Sequence, residues 1–236
     1  MIRLHIIAEG QTEEEFVNTI LTDHLGYFNI STDVHRITTK RTRTEVVRGG
    51  LPSYQKIKKD IILWLKQDKD SQARFTTMCD LYALPNNFPE FEEAQKISDP
   101  YQKVQHLENA LFEDIFEDMN DSRFIPYIQL HEFEALILSD PIKLEERFPD
   151  YQSEVQKLVS LCQSFESPEL INDGEQTAPS KRIIQAIPRY KGAKVSVAPL
   201  MAKKIGLETI RQKCPHFNQW IERLENLSKL EIYQDY

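Results

Sequence analysis

The spacing of apolar residues changes along the chain and predicts a mixed first part followed by a helical second part. Residues 2–8 alternate between apolar and polar positions and then become fully apolar before Glu9-Gly10, as a strand buried in a parallel sheet does. The same reasoning predicts strands at residues 34–38, 74–79 and 124–130, and helices at residues 12–26, 54–66 and 101–119. After Asp140-Pro141 only helical periodicity remains, at residues 144–148, 154–165, 180–187, 197–205 and 217–227.

Strands that alternate with helices favour an α/β fold, here a mostly parallel, Rossmann-like sheet of about four strands flanked by helices, with a helical C-terminal part. We expect an α/β core at residues 1–140 and a helical region at residues 141–236 that packs on it. The chain has 236 residues, of which 40% are hydrophobic, and this is enough to bury such a core. A capping box with Thr12 as N-cap and Glu15 reaching back is predicted to begin the first helix.

Acidic residues follow three of the predicted strands: Glu9 follows the first, Asp80 the third, and Glu132 with Glu134 the fourth. Because the carboxyl ends of parallel strands share one edge of a sheet, these carboxylates are expected to converge, and Glu13 can reach the same space from the first helix. Converging carboxylates repel each other unless a proton or a metal ion compensates them. The hard oxygen ligands predict Mg²⁺ or Mn²⁺, and five carboxylates could hold the two ions used in phosphodiester cleavage.

Each of these residues also has a plainer interpretation. Glu13 could only complement the helix dipole, and Glu134 could be a surface residue at a helix start. His131 is either a ligand or base, or a hydrogen-bonded structural histidine. Tyr82, close to Asp80, is interpreted as a packing residue.

The net charge of −8 is unevenly distributed along the chain. Residues 36–59 carry eight basic side chains and one acid, and residues 179–204 carry seven basic side chains and no acid. These segments are either solvated surface or a basic face for a polyanion. In the second case the nucleic-acid-binding residues would be Arg41, Arg43, Arg48, Lys181 and Arg182.

Three cysteines without a CxxC spacing indicate neither a disulfide framework nor a thiolate zinc site, and they fit a reducing compartment. The sequence does not open with a basic and then apolar leader, and no apolar run approaches the roughly 18 residues needed to cross a bilayer. We therefore expect a cytoplasmic protein without a membrane partner.

Four motifs together resemble a bacterial family of uncharacterised Toprim-like proteins that are often encoded beside AAA-type ATPases. They are Glu9-Gly10-Gln11-Thr12-Glu13, Asp80-Leu81-Tyr82, His131-Glu132-Phe133-Glu134-Ala135-Leu136, and residues 171–182 from Ile171-Asn172-Asp173-Gly174 to Ala178-Pro179-Ser180-Lys181-Arg182. Within the Toprim group the chain is similar to the nuclease domain of overcoming-lysogenization-defect proteins. That similarity implies a Toprim-like fold and a two-metal site in which Glu9 with Glu13, and Glu132 with Glu134, match two of three acidic motifs.

The middle motif departs from that pattern, because Tyr82 stands where a second aspartate is expected. The resemblance also implies a basic residue at the scissile phosphate, a role that Lys181 could fill. The leading hypothesis is a nuclease active in phage defence, with Glu9, Asp80, Glu132 and Lys181 as catalytic residues and DNA favoured over RNA as substrate. The alternative is a non-catalytic Toprim-like effector or regulatory subunit that docks on an AAA-type ATPase partner. Either protein could form an oligomer.

Overall fold

A parallel sheet lies at the centre of the protein, whose computed structural model describes residues 1–37, 51, 53–172 and 174–230. Its strands, in chain order, are β1 (Ile2–Ala8), β2 (Ile30–Arg36), β3 (Ala73–Asp80), β4 (Phe124–Ile125) and β5 (Ile128–Gln129). The sheet order is β2-β1-β3-β4, β5 also pairs with β3, and every pairing is parallel. The predicted α/β fold class, with a mostly parallel sheet and a helical C-terminal part, is confirmed.

The strand predicted at residues 124–130 is interrupted, and that part of the prediction was wrong. Proline has no N–H to donate to a strand ladder, and Pro126 separates β4 from β5. Thr77 of β3 bridges the gap, since its hydroxyl accepts a hydrogen bond from the Tyr127 amide and donates one to the Tyr127 carbonyl, both at 2.9 Å. The two short strands therefore keep one register along β3.

The helices of the first part connect and cover these strands. They are α1 (Gln11–Phe16), α2 (Thr22–Gly26), α3 (Tyr54–Gln67), α4 (Phe91–Ala94), α5 (Pro100–Met119) and α6 (Glu134–Ile137). A π-helical turn, Val17–Leu21, joins α1 to α2. The N-cap of the first helix lies two residues earlier than predicted, at Gly10 rather than Thr12, and Glu13, rather than Glu15, reaches back to the N-cap amide.

The second part is helical, as predicted. Its helices are α7 (Gln152–Cys162), α8 (Pro179–Ala186), α9 (Lys194–Ile205), α10 (Leu207–Lys213), α11 (Pro215–Glu225) and α12 (Leu227–Leu230). The helix predicted at residues 144–148 is instead a 3-10 segment, Pro141–Glu146. None of the helices in the described ranges is long and apolar enough to cross a bilayer.

Both faces of the sheet are covered, which explains why β1 and β3 are buried almost throughout. On one face Leu4 and Ile6 pack into a core that includes residues of α1, α8, α9 and α11. On the other face Ile7 and Phe75 pack with residues of α3 and α5. One continuous hydrophobic core thus joins β1 to the C-terminal helices.

The strand order places a crevice between β1 and β3. The chain leaves β1 toward β2 on one side and returns to β3 on the other, so the connections diverge between these two strands. In open α/β sheets, ligands bind at the carboxyl ends of the strands where such a divergence occurs. Glu9 directly follows β1 and Asp80 ends β3, so both residues lie at this point.

Candidate acidic site at the carboxyl edge of the sheet

Backbone pairing brings Glu9 and Asp80 together. The Glu9 amide donates to the Met78 carbonyl at 2.9 Å and extends the pairing of β1 with β3 by one residue. The Asp80 amide in turn donates to Glu9 Oε2 at 2.9 Å. Asp80 is buried, with 8% of its surface exposed, so the side chain points into the protein at the crevice.

Glu13 belongs to the same cluster because of its position in the first turn of α1. Its Oε2 accepts a hydrogen bond from the Gly10 amide at 2.9 Å, which fixes the side chain over the start of the helix. The side chain is buried, and its charge interacts with those of Glu9, Asp80 and Glu134. Glu13 is therefore both a helix-capping residue and a member of the acidic cluster.

Glu132 and Glu134 enter the site from the chain that follows β5. His131 has a φ of 60°, a left-handed conformation that is uncommon for a non-glycine residue and turns the chain into α6. Glu134 opens α6 and is completely buried, so its interpretation as a surface residue was wrong. Glu132 Oε2 accepts a hydrogen bond at 2.7 Å from the Ser180 amide in the first turn of α8.

Two residues of the C-terminal part contact the acids and were missed in the sequence. Lys194 Nζ, at the start of α9, lies 3.0 Å from Glu134 Oε2. The Tyr190 hydroxyl donates to Glu134 Oε1 at 3.0 Å. The sequence feature that pointed to this segment was the absence of acidic residues from residues 179–204. Nothing in the segment itself indicates which of its seven basic side chains contacts the acidic cluster.

Burial and mutual repulsion raise the pKa values of four carboxyl groups in the cluster. Burial, and then the charge of Glu13, raise the pKa of Glu9 to about 7. Burial also raises the pKa of Asp80 well above its ordinary value, with further contributions from Glu9 and Glu13. The pKa values of Glu13 and Glu134 are raised chiefly by burial as well.

Lys194 compensates part of this negative charge. Burial alone would lower the pKa of its ammonium group, but Glu134, Asp80 and Glu132 outweigh burial and the net shift is upward. Lys194 consequently stays protonated while the carboxyl groups around it compete for protons. Among the described residues one half-buried cation, Lys194, pairs with this cluster of five carboxylates, so protons or further cations must supply the remaining compensation.

The donor set of the cluster fits a divalent cation. Carboxylate oxygens suit Mg²⁺ or Mn²⁺, and Asp80 Oδ1 is buried without a hydrogen-bond donor among the described residues. Glu9, Glu13 and Asp80 would hold the ion, with Glu132 and Glu134 as the remaining donors. Among the residues that the structure describes, however, no three of these carboxylates place oxygens within 4.8 Å of one another. Ion binding at this cluster would therefore require rotation of its carboxylate side chains.

A groove of about 470 Å³ adjoins the acidic cluster. Tyr82 and His131 line it and lie next to the cluster, and Lys103 and Asn172 also contribute to its wall. The rings of Tyr82 and His131 are 5.3 Å apart, so Tyr82 packs in part, as predicted, although 43% of it is exposed. Burial lowers the pKa of His131 to about 4, so its imidazole is neutral at pH 7.

The predicted nucleic-acid contacts fall in three places. Lys181 is exposed in the first turn of α8, one residue after the amide that binds Glu132. Arg182 follows it and lines a shallow pocket between α7 and α8. The other three predicted residues, Arg41, Arg43 and Arg48, lie outside the described residues.

The fold and the cluster together define an α/β protein with a helical C-terminal half and a buried acidic site at the carboxyl edge of its parallel sheet. Residues 8–225 match the family described as "Domain of unknown function (DUF4276)", and the chain belongs to this family. Comparisons with curated proteins and with solved structures returned no match.

Proposed function

We propose that the chain is a Mg²⁺- or Mn²⁺-dependent phosphodiesterase that cleaves nucleic acid, with DNA favoured as substrate. The observation that carries this proposal is the convergence of acidic residues from three strand ends on the buried Asp80, whose Oδ1 has no hydrogen-bond donor among the described residues. Keeping such a cluster anionic is costly unless a cation is bound there. The Toprim-like motifs support the same conclusion, and they suggest phage defence as the setting.

In this proposal the residues of the chain have distinct roles. The amides of Asp80, Gly10 and Ser180 orient the carboxylates of Glu9, Glu13 and Glu132. A bound divalent ion would supply Lewis-acid stabilisation of the phosphate and an activated water.

Lys194 lowers the cost of ionising the neighbouring carboxylates, and Lys181, exposed one residue after the Ser180 amide that binds Glu132, would contact a phosphate. The groove beside Tyr82 and His131 offers space for a nucleotide.

Calorimetric Mn²⁺ titration together with plasmid nicking tests this proposal. Asp80→Asn keeps the shape of the side chain and removes one charge, so we expect Mn²⁺ affinity to fall at least about tenfold and nicking to disappear. The matched control is Glu117→Gln, because Glu117 is an exposed acid on α5, away from the cluster. Cleavage by Asp80→Asn at the wild-type rate, or wild-type protein that does not bind Mn²⁺, would contradict the proposal.

A second candidate is a non-catalytic effector or regulatory subunit that docks on an ATPase partner. It is favoured by the ion pair between Lys194 and Glu134, which gives the cluster a built-in cation. Tyr82, which stands where the resemblance predicts an acid, also favours a non-catalytic protein. In this case Lys194→Met would destabilise the chain at pH 8, and Mn²⁺ would not restore the lost stability. Recovery with Mn²⁺ would instead favour the metal-dependent enzyme.

A further inference from the structure

A second group of metal-ligand side chains lies on the middle of the sheet, apart from the acidic edge. His5 on β1 pairs in register with Asp33 on β2, and His35 lies two residues farther along β2 on the same face. His5 Nδ1 is 3.1 Å from His35 Nε2 and 3.6 Å from Asp33 Oδ2, and His35 Nε2 is 3.2 Å from that oxygen. Among the described residues this is the one set of three such side chains whose ligand atoms lie within 4.8 Å of each other.

These distances match those between the ligands of a tetrahedral zinc ion. Zinc lies about 2.0–2.1 Å from imidazole nitrogen and carboxylate oxygen, so two ligand atoms at the tetrahedral angle are about 3.3 Å apart. The three atoms of the cluster are separated by 3.1, 3.2 and 3.6 Å. These separations fit three corners of such a site.

The outer partners of His5 hold its ring in the orientation that a metal ligand needs. His5 Nε2 is 2.9 Å from Asp68 Oδ2, and the carboxylate of Asp68 is itself held by Arg3. Since an ionised carboxylate only accepts hydrogen bonds, the His5 proton lies on Nε2 and leaves the Nδ1 lone pair facing Asp33 and His35. A carboxylate on the distal nitrogen is the usual outer partner of zinc-bound histidine.

Both rings are also fixed by stacking, and one side of the cluster is open. His5 stacks on Phe75 with ring centroids 4.9 Å apart, and His35 stacks on Trp64. Because β2 is the edge strand, the Asp33 side chain is 55% exposed. A water molecule can therefore reach the fourth position.

We propose that His5, Asp33 and His35 bind a Zn²⁺ ion that ties the edge strand β2 to β1. Two imidazoles select zinc and related transition ions over Mg²⁺, whereas the all-carboxylate cluster selects the harder ions. The two sites thus differ in metal preference as well as position.

The test is Zn²⁺ titration by calorimetry on the untagged, EDTA-stripped chain, with the visible absorption of four-coordinate Co²⁺ as a second readout. We expect one high-affinity Zn²⁺ per chain, and at least tenfold weaker binding at that site with loss of the Co²⁺ spectrum in His35→Gln and Asp33→Asn. Asp68→Asn leaves all three ligands in place and is expected to weaken binding about 10- to 100-fold. The control is His106→Gln, a half-buried histidine near Glu90, which should bind Zn²⁺ like the wild type. Asp80→Asn in the acidic cluster should retain the ion held by His5, Asp33 and His35, which distinguishes the two locations.

Three results would overturn the proposal. The first is wild-type protein without saturable Zn²⁺ binding. The second is unchanged Zn²⁺ binding in Asp33→Asn. Because Asp33 is exposed, this variant tests the site even if His35→Gln does not fold. The third is loss of Zn²⁺ binding in Asp80→Asn with retention in His35→Gln, because it would place the ion in the acidic cluster.

Discussion

Glu9→Gln is expected to stabilise the metal-free chain at alkaline pH, although Glu9 is central to the proposed site. The folded environment raises the pKa of Glu9 from 4.5 to about 7, chiefly through burial and then through Glu13. Glutamine is neutral and can still accept the hydrogen bond that the Asp80 amide donates to Glu9 Oε2. The substitution therefore removes the unfavourable charge while it preserves the local geometry.

The sign of the effect follows from proton binding. Between pH 4.5 and about 7 the folded chain retains a proton on Glu9 that the unfolded chain has released, so the stability of the wild type falls as pH rises through this window. At about 1.36 kcal/mol per pKa unit, the full loss above pH 7 is at most about 3 kcal/mol. Because Glu9 is only partly buried, we expect about 1–2 kcal/mol. Below pH 4.5 the two proteins should be nearly equal in stability.

Urea denaturation in EDTA at pH 5 and pH 8 measures this difference, with Glu117→Gln as the control for loss of a surface charge. The difference in unfolding free energy between Glu9→Gln and the wild type should increase in favour of Glu9→Gln from pH 5 to pH 8. The control should show no such increase. Equal destabilisation of Glu9→Gln at both pH values would refute the reasoning. If Mn²⁺ binds as proposed, a concentration 100 times the dissociation constant adds about 2.7 kcal/mol to the wild type and reverses the order at pH 8.

Two further predictions concern the acidic cluster, and a third concerns Glu169 at the start of α11. Mn²⁺ binding at pH 6.5 should release protons from the carboxyl groups whose pKa values are raised. The measured binding enthalpy should then change with the ionisation enthalpy of the buffer, and the same enthalpy in every buffer would contradict proton release. Lys194→Met should lower stability at pH 8 by about 1–3 kcal/mol and tighten Mn²⁺ binding, because it frees Glu134. Glu169→Ala should cost about 2–4 kcal/mol in urea denaturation, since buried Glu169 accepts the His216 and Phe217 amides that begin α11, whereas exposed Glu166→Ala should change stability by less than about 0.5 kcal/mol.

Much of the sheet and its acidic edge could be predicted from the sequence because the signals are local. Strands buried in a parallel sheet are rich in apolar and β-branched residues, so β1 and β3 and the residues at their ends, Glu9 and Asp80, are visible in the pattern. The break at Pro126 is also visible in the sequence. Whether the strand register continues beyond it depends on Thr77, which binds the Tyr127 amide from 50 residues earlier in the chain.

Contacts made only by the fold were not predictable in this way. Lys194 reaches Glu134 because α9 packs beside α1 and α6, and no spacing in residues 179–204 records that approach. His5 and His35 meet because β1 and β2 pair in one register, and the sequence alone does not fix this register. Strand-end rules identified acids that follow strands, whereas these residues lie within a strand or in a distant helix.

The groups that organise the acidic cluster come from both halves of the chain. The sheet supplies negative charge, whereas the C-terminal helices supply the Ser180 amide, the Tyr190 hydroxyl and the Lys194 ammonium that stabilise it. The hydrophobic core is likewise continuous from β1 to α11. A fragment that ends near residue 140 would therefore lose both the apolar cover of one sheet face and the partners of Glu132 and Glu134. The chain has to keep its helical half to hold five carboxylates at one edge of the sheet.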